Sequence, residues 1–222
     1  MFNKYKYEMS FKEHYDEKYF SWQKLVGQFG GEANKIKFDN FIKENQKVLD
    51  FGCGGGYLLS SYKNIEKFGV EINDVASDVA KKNGLKIYKT SKDLPSDYFD
   101  TIISNHALEH CDNPFIELKE LYRSLKYKGT ICICVPCDNI KYKYNKDDVH
   151  KHLYSWSPSN LGNILFTVGF KVLETKPFRS RWFPFRYRLK KYMSWSVFHF
   201  LCRIWSRFDN IQYQILAIAK KD

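Results

Sequence analysis

Two acidic side chains and a run of glycines form the part of this sequence best suited to binding a ligand. Asp50 lies in the apolar stretch 47–51, and four of the next five positions, 52–56, are glycine. Because glycine has no side chain, a ligand can approach such a backbone closely. Glu71 follows Gly52 at the spacing of an acid that accepts hydrogen bonds from ribose hydroxyls. These residues predict an adenosine-type ligand across two neighbouring strands.

The order of the glycines narrows the choice of ligand. The loop reads "DFGCGGG", whereas a dinucleotide prefers G-x-G-x-x-G after the strand. The carboxylate of Asp50, just before the loop, would repel a pyrophosphate and attract a cationic group. A sulfonium compound that also carries an α-amino group therefore fits this loop better than a pyrophosphate does.

Predicted strands and helices alternate along the chain, and this alternation places the loop at the edge of a sheet. The predicted strands are 47–51, 66–72, 85–90, 100–105, 130–136, 170–176 and 211–221. Predicted helices begin at 57 and cover 74–84, 113–126 and 157–169; two more, 11–27 and 32–45, precede them, with a loop at Gly30–Gly31. We therefore predict an α/β, Rossmann-like fold with a seven-stranded, mostly parallel sheet and helices on both faces. It carries an N-terminal helical extension and a basic, aromatic helical insertion before the last strand.

Five segments resemble the motifs of the class I S-adenosylmethionine-dependent methyltransferases. They are "VLDFGCGGGYLL", "GVEIN", "DYFDTIISNHALEHC", "LYRSLKYKGTICICVP" and "HLYSWSPSNLGNILFTVGFKVLE". The resemblance covers residues 45–176 and adds the final strand at 211–219. It implies S-adenosyl-L-methionine as cofactor, with Glu71 on the ribose and Asp50 on the methionine part. The implied cofactor-binding residues are Asp50, Phe51, Gly52, Cys53, Gly54, Gly56, Glu71, Ile72 and Asn105.

The adenine contact departs from the family pattern. The family usually carries an acid after the third strand, but Thr90 or Ser91 occupies that slot here, and Asp93 comes later. We expect a hydroxyl or a backbone group to contact the adenine instead.

Four histidines are candidates for the base that a hydroxyl acceptor needs, namely His106, His110, His150 and His152. His106 directly follows the fourth strand, which places it near the transferred methyl group. His152 lies in an insertion after the fifth strand, which the sheet topology places over the pocket. We favour His106 and His152 as catalytic residues and expect His110 to be structural.

Cysteine content and the N-terminus indicate a reducing compartment. Cys132, Cys134 and Cys137 lie close together, but we expect core packing rather than zinc binding and predict no metal. The first residues lack the apolar core of a signal peptide, so the expected location is cytoplasmic. Tyr15, Tyr19 and Trp22 either line the acceptor cleft or pack on the sheet edge.

The segment 178–208 accounts for most of the net positive charge. It contains eight Lys or Arg, eleven aromatic residues and no acid, in a chain of formal net charge +11. Two interpretations of this segment lead: packing or homodimer formation, and contact with an anionic membrane at its inner face. Binding of nucleic acid is the least favoured.

We expect one domain over 1–222, with a helical cap at 1–44, a cofactor-binding core at 45–176 and 209–222, and the insertion at 177–208.

The resemblance also suggests an acceptor. It implies O-methylation of a sugar or other small-molecule hydroxyl in a bacterial surface-polysaccharide pathway. The alternatives are a quinone or lipid methyltransferase at the membrane surface, and a cofactor-binding module without turnover.

Overall fold

A seven-stranded sheet is the centre of the fold. The computed structural model describes residues 27–138, 141, 143–146, 148, 150–208 and 212–222. The strands are β1 Lys47–Phe51, β2 Glu66–Val70, β3 Lys86–Tyr88, β4 Phe99–Asn105, β5 Leu125–Asp138, β6 Lys171–Phe178 and β7 Gln212–Lys220. Their order is β3-β2-β1-β4-β5-β7-β6, and β7 runs in the direction opposite to the other six strands. The predicted mostly parallel sheet is confirmed.

The strand order reverses between β1 and β4. The chain builds outward from β1 to β3, then returns to the other side of β1 with β4. In an open parallel sheet such a reversal leaves a crevice at the carboxyl ends of the two central strands, where ligands bind. The glycine loop after β1 and the residues after β4 therefore share one edge.

Helices cover both faces of the sheet. They are α1 over residues 27–34, α2 Tyr57–Ser60, α3 Asp74–Lys82, α4 Pro114–Ser124, α5 Pro158–Val168, α6 Arg186–Leu189 and α7 Trp195–Trp205. Alternate strand residues enter two different cores: Leu49 packs with residues of α4 and α5, whereas Val48 packs with residues of α2 and α3. Cys132 and Cys134 are fully buried in the second core, as a strand with alternating faces requires.

The prediction of a loop at Gly30–Gly31 is wrong, because both residues lie inside α1. A Cβ on Gly31 would overlap with the carbonyl oxygen of Tyr57, at the start of α2. These glycines therefore permit close packing of α1 on the start of α2 and on Trp182, and this packing overrides their low helix propensity. The predicted helix 32–45 also ends early, since the chain turns after Lys37 and buries Phe38 against the sheet.

The insertion between β6 and β7 packs against α1 and forms a third, smaller core. Phe183, Phe198 and Cys202 are buried there with Ala33 of α1, and Phe29 contacts the ring of Trp182 edge-on at 5.3 Å. Tyr15, Tyr19 and Trp22, which we expected near the acceptor, lie outside the described residues. Within the described part of the chain, no helix combines the length and apolarity that crossing a bilayer requires.

Candidate functional site

The glycine loop has a backbone that only glycine adopts without strain. Gly52 has φ 73° and Gly54 has φ 52°, both in the left-handed region. A Cβ on Gly52 would also overlap with the Cβ of Ala107, which follows β4. Gly56 has φ 72° and caps α2, with the side chain of Leu85 packed against it. Gly52 and Gly54 thus shape the crevice, and Gly56 shapes the entry into α2.

Glu71, directly after β2, is oriented by backbone amides from two loops. Its Oε2 accepts a hydrogen bond from the N–H of Gly54 at 2.9 Å, and its Oε1 accepts one from the N–H of Asn73 at 2.8 Å. Burial raises the pKa of Glu71, and these two backbone donors oppose that shift. Because each carboxylate oxygen has a second acceptor position, the group can still receive two hydroxyls.

A first cavity of about 360 Å³ opens beside Glu71. Its wall includes the predicted site residues Phe51, Gly52, Gly54, Glu71, Ile72 and His106, and also Thr90 and Ser91. The carboxylate of Asp93 accepts hydrogen bonds from the N–H of Thr90 at 3.1 Å and from its Oγ1 at 3.0 Å. Asp93 is therefore engaged within its own turn, and Thr90 and Ser91 remain at the wall where we expected the adenine.

A second cavity of about 350 Å³ lies on the other side of the glycine loop. Its lining includes α1 residues, Trp182 of the insertion, and the predicted site residues Asp50, Gly52, Cys53, Gly54, Asn105, His106 and His152. Gly52, Gly54, His106 and His110 line both cavities. The two cavities therefore adjoin at the end of β4.

Asp50 and Cys53 differ in what they can contribute to this second cavity. Asp50 is only 3% exposed, and burial, with the nearby charge of Glu71 as the smaller cause, raises its pKa to about 8. A cationic ligand group beside Asp50 would favour its ionised form. Cys53 packs against Gly69 of β2, and burial raises the pKa of its thiol well above the ordinary value. Cys53 therefore fills space and is not a reactive thiol.

Asn105 and His106 end β4 in a dense polar network. Buried Lys37 donates from Nζ to Oδ1 of Asn105 at 2.7 Å. His106 has φ 57°, with Nε2 3.1 Å from Oε1 of Gln214 and Nδ1 3.3 Å from Oε1 of Glu109. Burial alone would lower the pKa of His106, but Cys134 and Glu109 raise it to about 9. A strained backbone in a polar cleft is typical of functional sites.

His152 lines the same cavity as Asn105 and His106 and is oriented by contacts of its own. Its Nδ1 lies 3.1 Å from Oδ2 of Asp138, and the N–H of Leu153 next to it donates to the backbone carbonyl of Glu109 at 2.9 Å. The ring of His152 lies 5.2 Å from that of His110 and 5.5 Å from that of His150. The rings of His110, His150 and His152 thus form a cluster, and His110 and His152 lie next to Glu109, which also faces His106.

Sequence reasoning missed several residues of the site. No role was predicted from the sequence for four residues that line the site or contact its residues: Lys37 in a predicted helix, Glu109 in a motif, Trp182 in the insertion and Gln214 in a predicted strand. Glu109 lies between the candidate histidines His106 and His110 in "HALEH", so the sequence did show an acidic residue beside them. Local periodicity does not reveal that Glu109 is completely buried, or that Lys37 and Gln214 contact the end of β4.

Comparison with known proteins agrees with this geometry. A family model described as a methyltransferase domain matches residues 15–175. The ubiquinone biosynthesis O-methyltransferase of Pelagibacter ubique is 35% identical over 109 residues, which are 45% of this chain and 45% of that protein. The 2-methyl-6-phytyl-1,4-hydroquinone methyltransferase 1 of Oryza sativa is 31% identical over 101 residues, 40% of this chain and 31% of that protein. The matches span less than half the length of these two relatives.

Solved structures share the architecture over nearly the whole chain. A crystal structure from Thermotoga maritima, described as a SAM-dependent methyltransferase and possible histamine N-methyltransferase, has a TM-score of 0.67 at 19% identity. The match covers 95% of this chain and 99% of that one. The strand order, the glycine loop with Glu71 and the family match converge on one assignment: the chain belongs to the methyltransferase-domain family and has the class I fold of the S-adenosylmethionine-dependent methyltransferases.

Proposed function

We propose that this protein transfers the methyl group of S-adenosylmethionine to a hydroxyl of a small-molecule acceptor. The observation that carries the proposal is the pair of cavities that adjoin at Gly52, Gly54, His106 and His110. The adenosine half of the cofactor fits the first cavity, with its ribose hydroxyls on Glu71. The methionine part crosses the loop into the second cavity near Asp50, so the methyl group emerges at the end of β4.

The reaction asks the protein to align the two reactants and to accept a proton. The acceptor oxygen displaces sulfur from the methyl carbon: a C–O bond forms, the C–S bond breaks, and sulfur keeps that electron pair as a thioether. The sulfonium supplies the activation, so positioning and desolvation are the contributions of the protein. The hydroxyl proton leaves to a base at the same place, and His106 and His152 are the two candidates there. Because the pKa of His106 is raised to about 9, this histidine accepts the proton only in the neutral form that it adopts above that pH.

Two acceptor classes have support from particular observations. The polar lining of the second cavity, with Asn34, Asn105 and the histidines, supports a hydroxyl-rich acceptor such as a sugar. The similarity to the two quinone-pathway methyltransferases supports the second candidate, a quinone or related lipid. A nucleotide-linked or lipid-linked carrier would suit the cationic insertion in either case.

A two-step experiment tests the proposal. Mass spectrometry of the purified protein identifies bound S-adenosylmethionine or its demethylated product, and labelled cofactor is then incubated with nucleotide sugars and with lipid extracts. We expect label transfer to one class. His106→Ala and His152→Ala should show which histidine matters, with about 100-fold or greater loss of turnover and nearly unchanged cofactor affinity. His199→Ala, on α7, serves as the control. Cofactor binding without transfer to any acceptor would favour a non-catalytic module.

We further propose that the insertion holds the protein on an anionic membrane surface. Large side chains remain exposed there although they are apolar: Phe185 is 74%, Tyr192 87% and Phe208 81% exposed. Arg188 and Lys191 are exposed among them, and the segment contains no acid. Aromatic rings at headgroup depth with cations beside lipid phosphates are typical of peripheral membrane binding.

Vesicle sedimentation tests this contact. We expect binding to anionic vesicles at low salt, weaker binding to neutral ones, and release as salt rises. The triple variant Arg188→Glu, Lys191→Glu and Arg207→Glu should abolish binding, since each surface cation contributes about 1 kcal/mol of attraction. The matched control reverses the three exposed lysines Lys43, Lys63 and Lys82, outside the insertion. Equal binding to neutral and anionic vesicles, or none to either, would favour packing or dimer formation.

A further inference from the structure

The strongest feature that the proposed function does not use is the buried carboxylate of Glu109. Its side chain is 0% exposed, and neither of its carboxylate oxygens accepts a hydrogen bond from a described residue. The closest cationic candidates are Nδ1 of His106 at 3.3 Å and Nε2 of His110 at 4.0 Å. A buried ionisable group without hydrogen bonds is costly, and such a group calls for an explanation, of which a bound ion is one.

His110 and His152 converge on this carboxylate. One ligand atom from each of Glu109, His110 and His152 lies within 4.8 Å of the other two. Nδ1 of His110 is buried and has no hydrogen-bond partner among the described residues. Nδ1 of His152 is paired with Asp138 at 3.1 Å, which leaves its Nε2 for a ligand. A carboxylate on the far nitrogen is the arrangement that orients metal-binding histidines.

We propose that Glu109, His110 and His152 bind a divalent transition-metal ion of the zinc class. Two imidazoles and one carboxylate form a common catalytic ligand set for such ions, which leaves an open position for water or substrate. A tetrahedral zinc ion with bonds of about 2.0–2.1 Å holds its ligand atoms roughly 3.4 Å apart. The three side chains therefore need to draw together by up to about 1.4 Å from the present separation.

The position of the ion gives it a role in the proposed methyl transfer, on which this part of the inference rests. All three ligands line the second cavity, where the acceptor is proposed to bind. A metal ion at that point would take the acceptor hydroxyl in its open position. Metal ions lower the pKa of a bound hydroxyl and so favour loss of its proton at neutral pH. In this arrangement His152 is a metal ligand, and the proton leaves to water.

Metal binding to the full chain tests the site without any assay of activity. After removal of metals with EDTA, zinc binding is measured by calorimetry and cobalt binding by its visible absorption spectrum. We expect one equivalent of tightly bound metal and a cobalt spectrum typical of nitrogen and oxygen ligands. Glu109→Gln and His152→Ala should each weaken zinc binding by about 100-fold or more. Glu44→Gln and His199→Ala, which change the same residue types elsewhere, should not.

The outcomes separate the metal site from the proposed function. Thermal unfolding of each variant shows whether it is folded, and Glu109→Gln, the nearly isosteric change, is the decisive variant if His152→Ala unfolds. Weak zinc binding that Glu109→Gln leaves unchanged would overturn the site, as would a cobalt spectrum with thiolate character. Methyl transfer at full rate in EDTA would overturn the role of the ion while supporting the proposed function. Stoichiometric metal binding without methyl transfer to any acceptor would support the site and oppose the function.

Discussion

Replacing Glu71 with alanine tests the assignment of the first cavity to the ribose of the cofactor. The carboxylate is held by the N–H groups of Gly54 at 2.9 Å and Asn73 at 2.8 Å, one on each oxygen. Each oxygen keeps one acceptor position toward the cavity, so the group is oriented for two neighbouring hydroxyls before any ligand arrives. Glu71→Ala removes both acceptors together.

The expected loss follows from the strength of such hydrogen bonds. Hydrogen bonds to a charged group contribute about 1.5–3 kcal/mol net. The two hydroxyls bond to water when the ligand is free, so we expect the loss of both bonds to weaken binding by about 1.5–3 kcal/mol in total. This corresponds to roughly a 10- to 150-fold higher Kd. The amides of Gly54 and Asn73 also lose their acceptor, and this loss loosens the loop and favours the upper end of the range.

Isothermal titration calorimetry with S-adenosylmethionine and S-adenosylhomocysteine measures the effect. Glu66→Ala is the matched control, because Glu66 is exposed, begins the strand that Glu71 follows, and is paired only loosely with Lys86 at 3.9 Å. The control should bind like the wild type, and thermal unfolding should show that both variants are folded. A Kd for Glu71→Ala within twofold of the wild type would refute the assignment.

Two other predictions concern Asp50, which lines the second cavity, and Gly31, where α1 packs on the start of α2. Because the pKa of Asp50 is raised to about 8 and a cationic ligand favours its ionised form, cofactor affinity should rise by up to about tenfold per pH unit from pH 6 to 8. Asp50→Asn should remove that slope in calorimetry, and a flat wild-type profile would contradict the placement of the cationic group. Gly31→Ala should displace α1 from Tyr57 and lower stability by about 1–3 kcal/mol in chemical denaturation. Gly162→Ala in α5, where the added Cβ makes an ordinary contact with Thr175, is the control, and equal stability of both variants would contradict the packing argument.

The metal proposal changes how the histidines of the site are interpreted. Sequence reasoning treated them as separate candidates for a base, and it predicted no metal. In the structure Glu109 is common to His106, His110 and His152, because it lies within 4.0 Å of the first two and shares a potential ligand cluster with the third. The effect of a histidine substitution on turnover therefore needs to be measured with and without added metal.

The sequence by itself determined the parts of this protein that depend on neighbouring residues. The glycine loop, Glu71 and the alternation of strands and helices follow from residue types and spacing along one βαβ unit, where chain connectivity limits the geometry. The sequence also indicated that Cys132 and Cys134 share one face of a strand, because side-chain direction alternates with a period of two. These expectations agree with the parallel sheet and its crevice.

Tertiary structure alone decided which distant residues meet in the site. Lys37 reaches Asn105 over 68 positions, and His152 reaches Glu109 because the N–H of Leu153 pairs with the carbonyl of Glu109. Gly31 lies in a helix because packing on Tyr57 outweighs its local preference for a loop. In each case the deciding free energy comes from burial and hydrogen bonding between segments that are distant in the sequence, and such long-range contacts leave no periodic pattern in it.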